Sequence, residues 1–407
     1  MMLSTFWDRN GERQQLESFP ESFQHWELGE PLEEIQQALL QTLEGVFGKK
    51  VIRTELRAMD KNLVLEVEYD DGHQDILRMP EAASNSNGEI VQDLSLFIGE
   101  VALLQWLEVN VTALPIPRVL TVVHHSDGEP YTFAVIEKMP GDCLLNVFGG
   151  APFDIKESIV RNTASFMLEL NSLVLPQRIG TTLIRDGVID LVPLMHVIPG
   201  FNSARVFNTL EEYMHSLMQA KRESDRIGSD DVSRARANEV LDRLAEKLPS
   251  LLQRLSSSIY RRCILSHDDL NETNVLVNSD GDITGIIDWE YHSARPVVLA
   301  AQYPCYLRYD GVYDPRFGLG EKWWVASPED AARLRAIYDE VVKAQNEDYW
   351  RALIDGELLR QVYEWLTDSF VDPGCTAMGR WMDEAFGSHP PVEVKARRWC
   401  GALDRRS

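Results

Sequence analysis

The stretch Cys263-Ile-Leu-Ser-His267-Asp268-Asp269-Leu270-Asn271-Glu272-Thr273-Asn274-Val275-Leu276-Val277 runs on through Asn278-Ser-Asp-Gly281 to Ile283-Thr-Gly-Ile-Ile287-Asp288-Trp289-Glu290. An apolar strand end leads into a loop carrying His-x-Asp, with an Asn five residues after the Asp. Two short apolar runs joined at Asp280-Gly281 read as a hairpin, because Gly tolerates the positive φ of a tight turn. The hairpin returns the chain, so Asp288 is expected beside Asn274. Phosphoryl transfer uses a carboxylate to orient or deprotonate the attacking hydroxyl, and an amide oxygen with a second carboxylate to hold Mg²⁺ on the nucleotide phosphates. Asp269 is the candidate base, Asn274 and Asp288 are the candidate Mg²⁺ ligands, and His267 is expected to orient the loop by hydrogen bonding. A lone His-x-Asp is more often an ordinary hydrogen-bonded turn, and a lone Asp-Trp a strand end. The joint spacing, with the chain upstream, favours the catalytic reading.

Upstream, Val51–Leu56, Leu63–Tyr69 and Gln74–Met79 read as strands. Leu63, Leu65 and Val67 alternate with Val64, Glu66 and Glu68, and Asp70-Asp71-Gly72 marks a hairpin turn. Pro80–Gly88 reads as loop. A helix is predicted over Leu94–Leu107, then strands over Arg118–His124 and Tyr131–Lys138, ending at Met139-Pro140-Gly141. The order β-β-β-α-β-β closes near residue 140. Before it lies a polar and aromatic segment with a helix over Leu32–Phe47. Beyond Gly141 the period turns helical: Ile155, Ile159, Thr163, Met167 and Leu170 share one face. Helices are also expected over Thr209–Leu255, broken at Gly228–Asp231 with Ser229 or Asp230 as N-cap, and over Pro328–Arg406. The predicted class is α+β: an N-terminal extension (1–47), a small antiparallel-sheet lobe (48–140), and a larger, mainly helical lobe (141–407).

Composition fits this reading. The 407 residues are 44% hydrophobic, enough for a sizeable core. Forty basic and 64 acidic residues give a net charge of −24, which disfavours nucleic acid and anionic membranes and suits a cationic substrate or plain solubility. No run approaches the roughly 20 apolar residues of a membrane span. Met1–Gln14 lacks the apolar core of a secretory signal, so a cytoplasmic location is expected. The five cysteines are dispersed, with no C-x-x-C pair. Reduced thiols are expected, rather than a disulfide framework or structural zinc.

The words HDDLNETNVLV, ITGIIDWE and LAAQYPCYL resemble the aminoglycoside-phosphotransferase family of the protein-kinase-like superfamily, which also includes choline and homoserine kinases, and within it a fungal branch found around secondary metabolism. The resemblance implies a two-lobed kinase-like fold and an O-phosphotransferase using ATP and Mg²⁺ on a small-molecule hydroxyl. It places Arg78 and Glu100 as the phosphate-side cation and its helix partner, Asn62 in the phosphate-covering turn, and the main chain from Glu137 to Met139 against the adenine edge. It puts the acceptor against the helical lobe, where Glu290, Asp310, Asp314 and Asp372 are candidates by position only. Two departures stand out: Arg for Lys at position 78, and no glycine in Arg57–Asn62. They motivate an alternative, a nucleotide-binding scaffold without turnover. Asp268, where Gly is usual in bacterial relatives, adds a carboxylate beside the base, expected either to raise the pKa of one of the two if both are buried or to face solvent.

Overall fold

The computed structural model describes residues 3–8, 10–17, 32–59, 61–84, 90–111, 114–125, 131–195, 205–308, 324–368 and 371–387. Its first elements are a hairpin of β1 (Leu3–Trp7) and β2 (Arg13–Glu17), followed by helix α1 (Leu32–Phe47). The smaller lobe is built on β3 (Val51–Met59), β4 (Asn62–Tyr69) and β5 (Gln74–Pro80). A small hairpin of β6 (Ala82–Ser84) and β7 (Ile90–Gln92), helix α2 (Ser95–Asn110), β8 (Val119–Val123) and β9 (Phe133–Glu137) complete it. The main sheet is antiparallel in the order β3-β4-β5-β9-β8. Leu63, Leu65 and Val67 of β4 alternate onto its buried face, and Ile35, Leu39 and Leu43 of α1, four residues apart, pack into the same cluster. The turn after β4 has Gly72 at φ 81°.

Two features depart from the sequence reading. The expected loop Pro80–Gly88 contains β6, which pairs with β7 just beyond it; three-residue strands are too short to show a period. The segment 1–47 also does not behave as one unit. While α1 packs on the small sheet, β1 packs into the larger lobe: Phe6 is 1% exposed within the larger core cluster. Trp7 and Trp324 exchange backbone hydrogen bonds of 2.7 and 3.0 Å. The legible signal was Asn10-Gly11, a hairpin dipeptide with Gly11 at φ 75°. The backbone of Thr5 passes so close to Gly149 that a Cβ there would meet the Thr5 carbonyl. Gly149→Ala is therefore expected to destabilise the protein by about 1–3 kcal/mol through forced displacement of the hairpin. Urea unfolding followed by tryptophan fluorescence checks this, and an unchanged midpoint would count against it.

The larger lobe begins at β10 (Asp142–Cys143), α3 (Leu144–Val147) and the central helix α4 (Phe153–Ser172). On α4, Ile159, Thr163, Met167 and Leu170 are buried as the pattern predicts. Next come the hairpin β11 (Thr181–Arg185) and β12 (Val188–Val192), α5 (Leu210–Glu223) and α6 (Asp231–Arg254). Asp230 caps α6 by accepting from the Ser233 amide. After α7 (Ser258–Arg261) come β13 (Cys263–His267), β14 (Val275–Val277), β15 (Ile283–Ile286) and β16 (His292–Pro296). The helices α8 (Val297–Ala300), α9 (Pro328–Gln345), α10 (Glu347–Asp355), α11 (Glu357–Thr367) and α12 (Thr376–Phe386) finish the lobe. The helical tail expected beyond residue 387 lies outside the described residues. Among the described residues no helix is long and apolar enough to cross a membrane.

Met139-Pro140-Gly141 joins the lobes. Gly141 has φ 104°, and a side chain there would run into the Val277 carbonyl. Beyond it β10 pairs with β14, which pairs with β15, so the linker is stitched directly to the hairpin that follows the HDD motif.

Candidate active site

All five residues of β13 are buried, and the strand pairs antiparallel with β16, setting His267 opposite His292. The chain then turns. The Asp268 amide donates to the Tyr291 carbonyl at 2.9 Å, and the Asp269 amide donates to His267 Nδ1 at 3.3 Å. Asn271 Oδ1 accepts from the Thr273 amide at 2.8 Å, a local turn typical of Asn. Two amides hold the Asp269 side chain: Asn271 Nδ2 donates to Oδ1 at 3.0 Å and Asn274 Nδ2 to Oδ2 at 3.3 Å. Asn274 Nδ2 also donates to the Asp269 carbonyl at 2.8 Å.

The hairpin returns as expected. The Ile287 amide donates to the Asn274 carbonyl at 3.0 Å, bringing Asp288 alongside. Asp288 has φ 63°, a left-handed conformation that costs a non-glycine residue energy and that Asp tolerates better than most. Its neighbour fixes it: Trp289 is fully buried, its amide donates to Glu100 Oε1 at 2.9 Å and its indole to the Ile286 carbonyl at 3.0 Å. His267 Nε2 lies 3.0 Å from the Ile287 carbonyl. With Nδ1 accepting from Asp269, the ring is the neutral tautomer protonated at Nε2, and burial lowers its pKa to match. His267 thus ties the loop of Asp269 to the strand of Asp288.

Arg78 of β5 reaches down from the smaller lobe. Its Nη1 is 2.7 Å from Glu100 Oε1, and its Nη2 is 2.9 Å from Asp288 Oδ1 and 2.6 Å from Glu290 Oε2. Asn62 Nδ2 donates to the same Glu290 oxygen at 2.7 Å. One guanidinium therefore serves three carboxylates, and burial still pushes the Glu100 carboxyl up to about 7. Asp269 is also pushed up, to about 6, first by burial and then by the charge of Asp288, against the lowering effect of the Asn271 and Asn274 amides. Asp268 is not among the leading causes of that shift. Its side chain turns away into the lobe, where Oδ2 pairs with Arg295 Nη2 at 2.5 Å and both side chains are about a tenth exposed. It does not face solvent: its charge is met by Arg295, while the Asp269 carboxylate is held by Asn271 and Asn274.

The remaining expected residues separate. The Glu137 side chain pairs with Arg118 at 2.9 Å and its amide donates to the Arg118 carbonyl at 2.9 Å. Met139 packs over Gly285 of β15. Of the acceptor candidates, Glu290 stands under Arg78 and Asn62. The Asp372 carboxylate accepts from the Ala377 and Met378 amides at 3.0 and 3.1 Å and so caps α12. Asp310 and Asp314 lie outside the described residues. Sequence reasoning did not single out Lys61, Tyr291, Arg295 or Asn271. For Arg295 a signal existed, a lone cation in the apolar run Ala294–Ala301.

The donor set fits a magnesium ion. Asn274 spends its Nδ2 on Asp269, which turns Oδ1 the other way; Asp288 adds a carboxylate, and three carboxylates exceed the one guanidinium among them. Among the described residues no three His, Cys, Asp or Glu side chains form a ready cage. Magnesium does not need one, since it keeps waters and substrate phosphates beside one or two carboxylates.

The chain can now be set against known proteins. The model of the phosphotransferase enzyme family (APH) matches residues 62–298, more than half of the chain. Clavilactone A biosynthesis cluster protein Y of Ampulloclitocybe clavipes is 39% identical over 396 residues, covering 95% of this chain and 97% of that one. Among solved structures, a thermostable mutant of aminoglycoside phosphotransferase APH(4)-Ia, in ternary complex with ADP and hygromycin B, is similar with a TM-score of 0.49 at 17% identity, over 87% of this chain and 99% of that one. Macrolide 2'-phosphotransferase type I is similar with a TM-score of 0.45 at 13% identity, over 83% and 91%. On the family match and the full-length relative, this chain belongs to the APH phosphotransferase enzyme family, and its two-lobed α+β architecture is the protein-kinase-like fold.

Proposed function

We propose that the protein transfers the γ-phosphate of ATP to a hydroxyl of a small-molecule acceptor. The observation that carries this is the Asp269 carboxylate, held by two amides in a loop that a single histidine ties to Asp288. In this reading Asp269 orients the acceptor hydroxyl and takes its proton as the oxygen attacks phosphorus. Asn274 Oδ1 and Asp288 hold Mg²⁺, which when bound neutralises charge on the phosphates. Glu100 fixes Arg78 and, through the Trp289 amide, the backbone beside Asp288. The main-chain contact with the base falls to Met139, since the Glu137 amide already donates to Arg118.

The test is ADP release from Mg·ATP across amino sugars, choline-like amines, hydroxy amino acids and other hydroxylated metabolites. Acceptor-dependent release supports the reading. Nucleotide binding without release for any acceptor supports a second reading, a nucleotide-binding scaffold, which is favoured by the commitment of Arg78 to three carboxylates and by the absence of glycine from Arg57–Asn62.

The elevated Asp269 value makes a kinetic prediction. A base must be ionised to accept a proton, so kcat/KM is expected to fall as pH drops through about 6. A pH–rate profile whose acid limb sits at the ordinary aspartate value, near 4, would remove Asp269 from the role of a buried base.

A further inference from the structure

The turn between β3 and β4 occupies the place where nucleotide phosphates would be covered, and it has no glycine from Arg57 to Asn62. Glycine normally lets backbone amides approach phosphate closely. What this turn presents is Lys61. Its Nζ meets the Tyr291 hydroxyl and lies 4.5 Å from the centre of the Tyr291 ring. The next residue, Asn62, bonds Glu290. Two adjacent side chains of the smaller lobe therefore cross the cleft to the residues two and three positions after Asp288. Tyr291 is in turn fastened to the base's own loop, its carbonyl accepting from the Asp268 amide. Lys61 thus reaches the residues that follow Asp288, on the segment bonded to the loop of Asp269.

The cations around the cleft differ in how their charge is spent. Arg78 faces three carboxylates. Arg57 pairs with Glu55 and Glu66, Lys138 with Glu66, and Arg118 with Glu137. Lys61 has a phenol hydroxyl and the face of its ring, both uncharged, and among the described residues no carboxylate lies within ion-pair distance of it. A flexible, strongly hydrated ammonium suits an incoming phosphate, which it meets as a point charge. An arginine already shared by three anions has little left to offer.

We propose that Lys61 is the phosphate-gripping cation of this cleft: its ammonium exchanges Tyr291 for the terminal phosphate of a bound nucleoside triphosphate, while Arg78 remains committed to Glu100, Asp288 and Glu290. The proposal rests on the phosphotransferase reading above. It is tested by calorimetric titration of the full chain with Mg·ADP and with a non-hydrolysable Mg·ATP analogue, for wild type, Lys61→Met and Lys61→Arg. The wild type is expected to prefer the triphosphate. Lys61→Met should lose about tenfold in triphosphate affinity, the worth of one charged hydrogen bond, with ADP affinity within about twofold of wild type. Lys61→Arg should restore most of the preference. Equal weakening of both nucleotides in Lys61→Met would make Lys61 only a latch between lobes, and an unchanged preference would remove it from the site; either overturns the proposal while leaving the phosphotransferase reading standing. A wild type that binds neither nucleotide overturns both.

Discussion

Asp269→Asn is expected to fold normally and to lose about 10³-fold in acceptor-dependent turnover, within the 10²–10⁴ range of general base catalysis. The side chain keeps its size and one oxygen, so one of the two amide bonds from Asn271 and Asn274 survives. Burial disfavours the charged form of Asp269, and a neutral amide relieves that cost, so the melting temperature should hold or rise. A neutral amide has no proton affinity to offer the acceptor hydroxyl. The measurement is ADP release with the best acceptor, beside a melting curve. Turnover within about threefold of wild type, far short of the loss a general base implies, would sink the assignment of Asp269.

Arg295→Met is expected to produce a large loss of stability. It would leave the Asp268 carboxylate buried without its cation; Oδ1 of that carboxylate already has no hydrogen-bond partner. Breaking a buried pair from one side costs about 3–5 kcal/mol, because the surviving charge is uncompensated. The Arg295 guanidinium also accounts for a bond to Ser293 Oγ at 3.0 Å and lies over the Tyr363 ring. The double variant Asp268→Asn/Arg295→Met removes both charges and should recover most of the loss, since replacing a whole buried pair is often close to neutral. Urea unfolding of the wild type, the single and the double variant decides it. A single variant within about 1 kcal/mol of wild type, as for an exposed pair, would show that solvent reaches Asp268.

What the sequence disclosed depended on distance along the chain. Asp269, Asn274 and Asp288 lie within twenty residues, joined by one tight hairpin, and local turn chemistry is enough to bring them together. The succession of strands in the smaller lobe was legible for the same reason, from alternation in β4 and the Asp-Asp-Gly turn after it, but not that β9 rather than β8 would lie beside β5. The Arg78–Glu100 pair came through resemblance, but the sharing of Arg78 with Asp288 and Glu290 did not. Those contacts span more than 200 residues, and no period encodes them. The Lys61–Tyr291 contact is of the same kind, separated by 230 positions. The pairing of Asp268 with Arg295 was not legible, because which way an adjacent loop residue turns is fixed only by the turn geometry. The role of Asp372 was hidden by a similar ambiguity, since a carboxylate before a helix can cap it as readily as meet a substrate.

The docking of β1 against Trp324 has a consequence for biosynthesis. The hairpin leaves the ribosome well before the residue it bonds, which is made more than 300 positions later. At roughly 5–20 residues per second the interval is on the order of 15–60 s. For that time Trp7 lacks its backbone partner and the hairpin can meet only α3 and the start of α4, while the small sheet and α1 can already assemble from contiguous chain. The larger lobe is thus closed by a bond between segments made far apart in time. Nascent chains halted before residue 324 should hold a folded sheet and a hairpin whose Trp7 edge is still open, the edge a chaperone can grip.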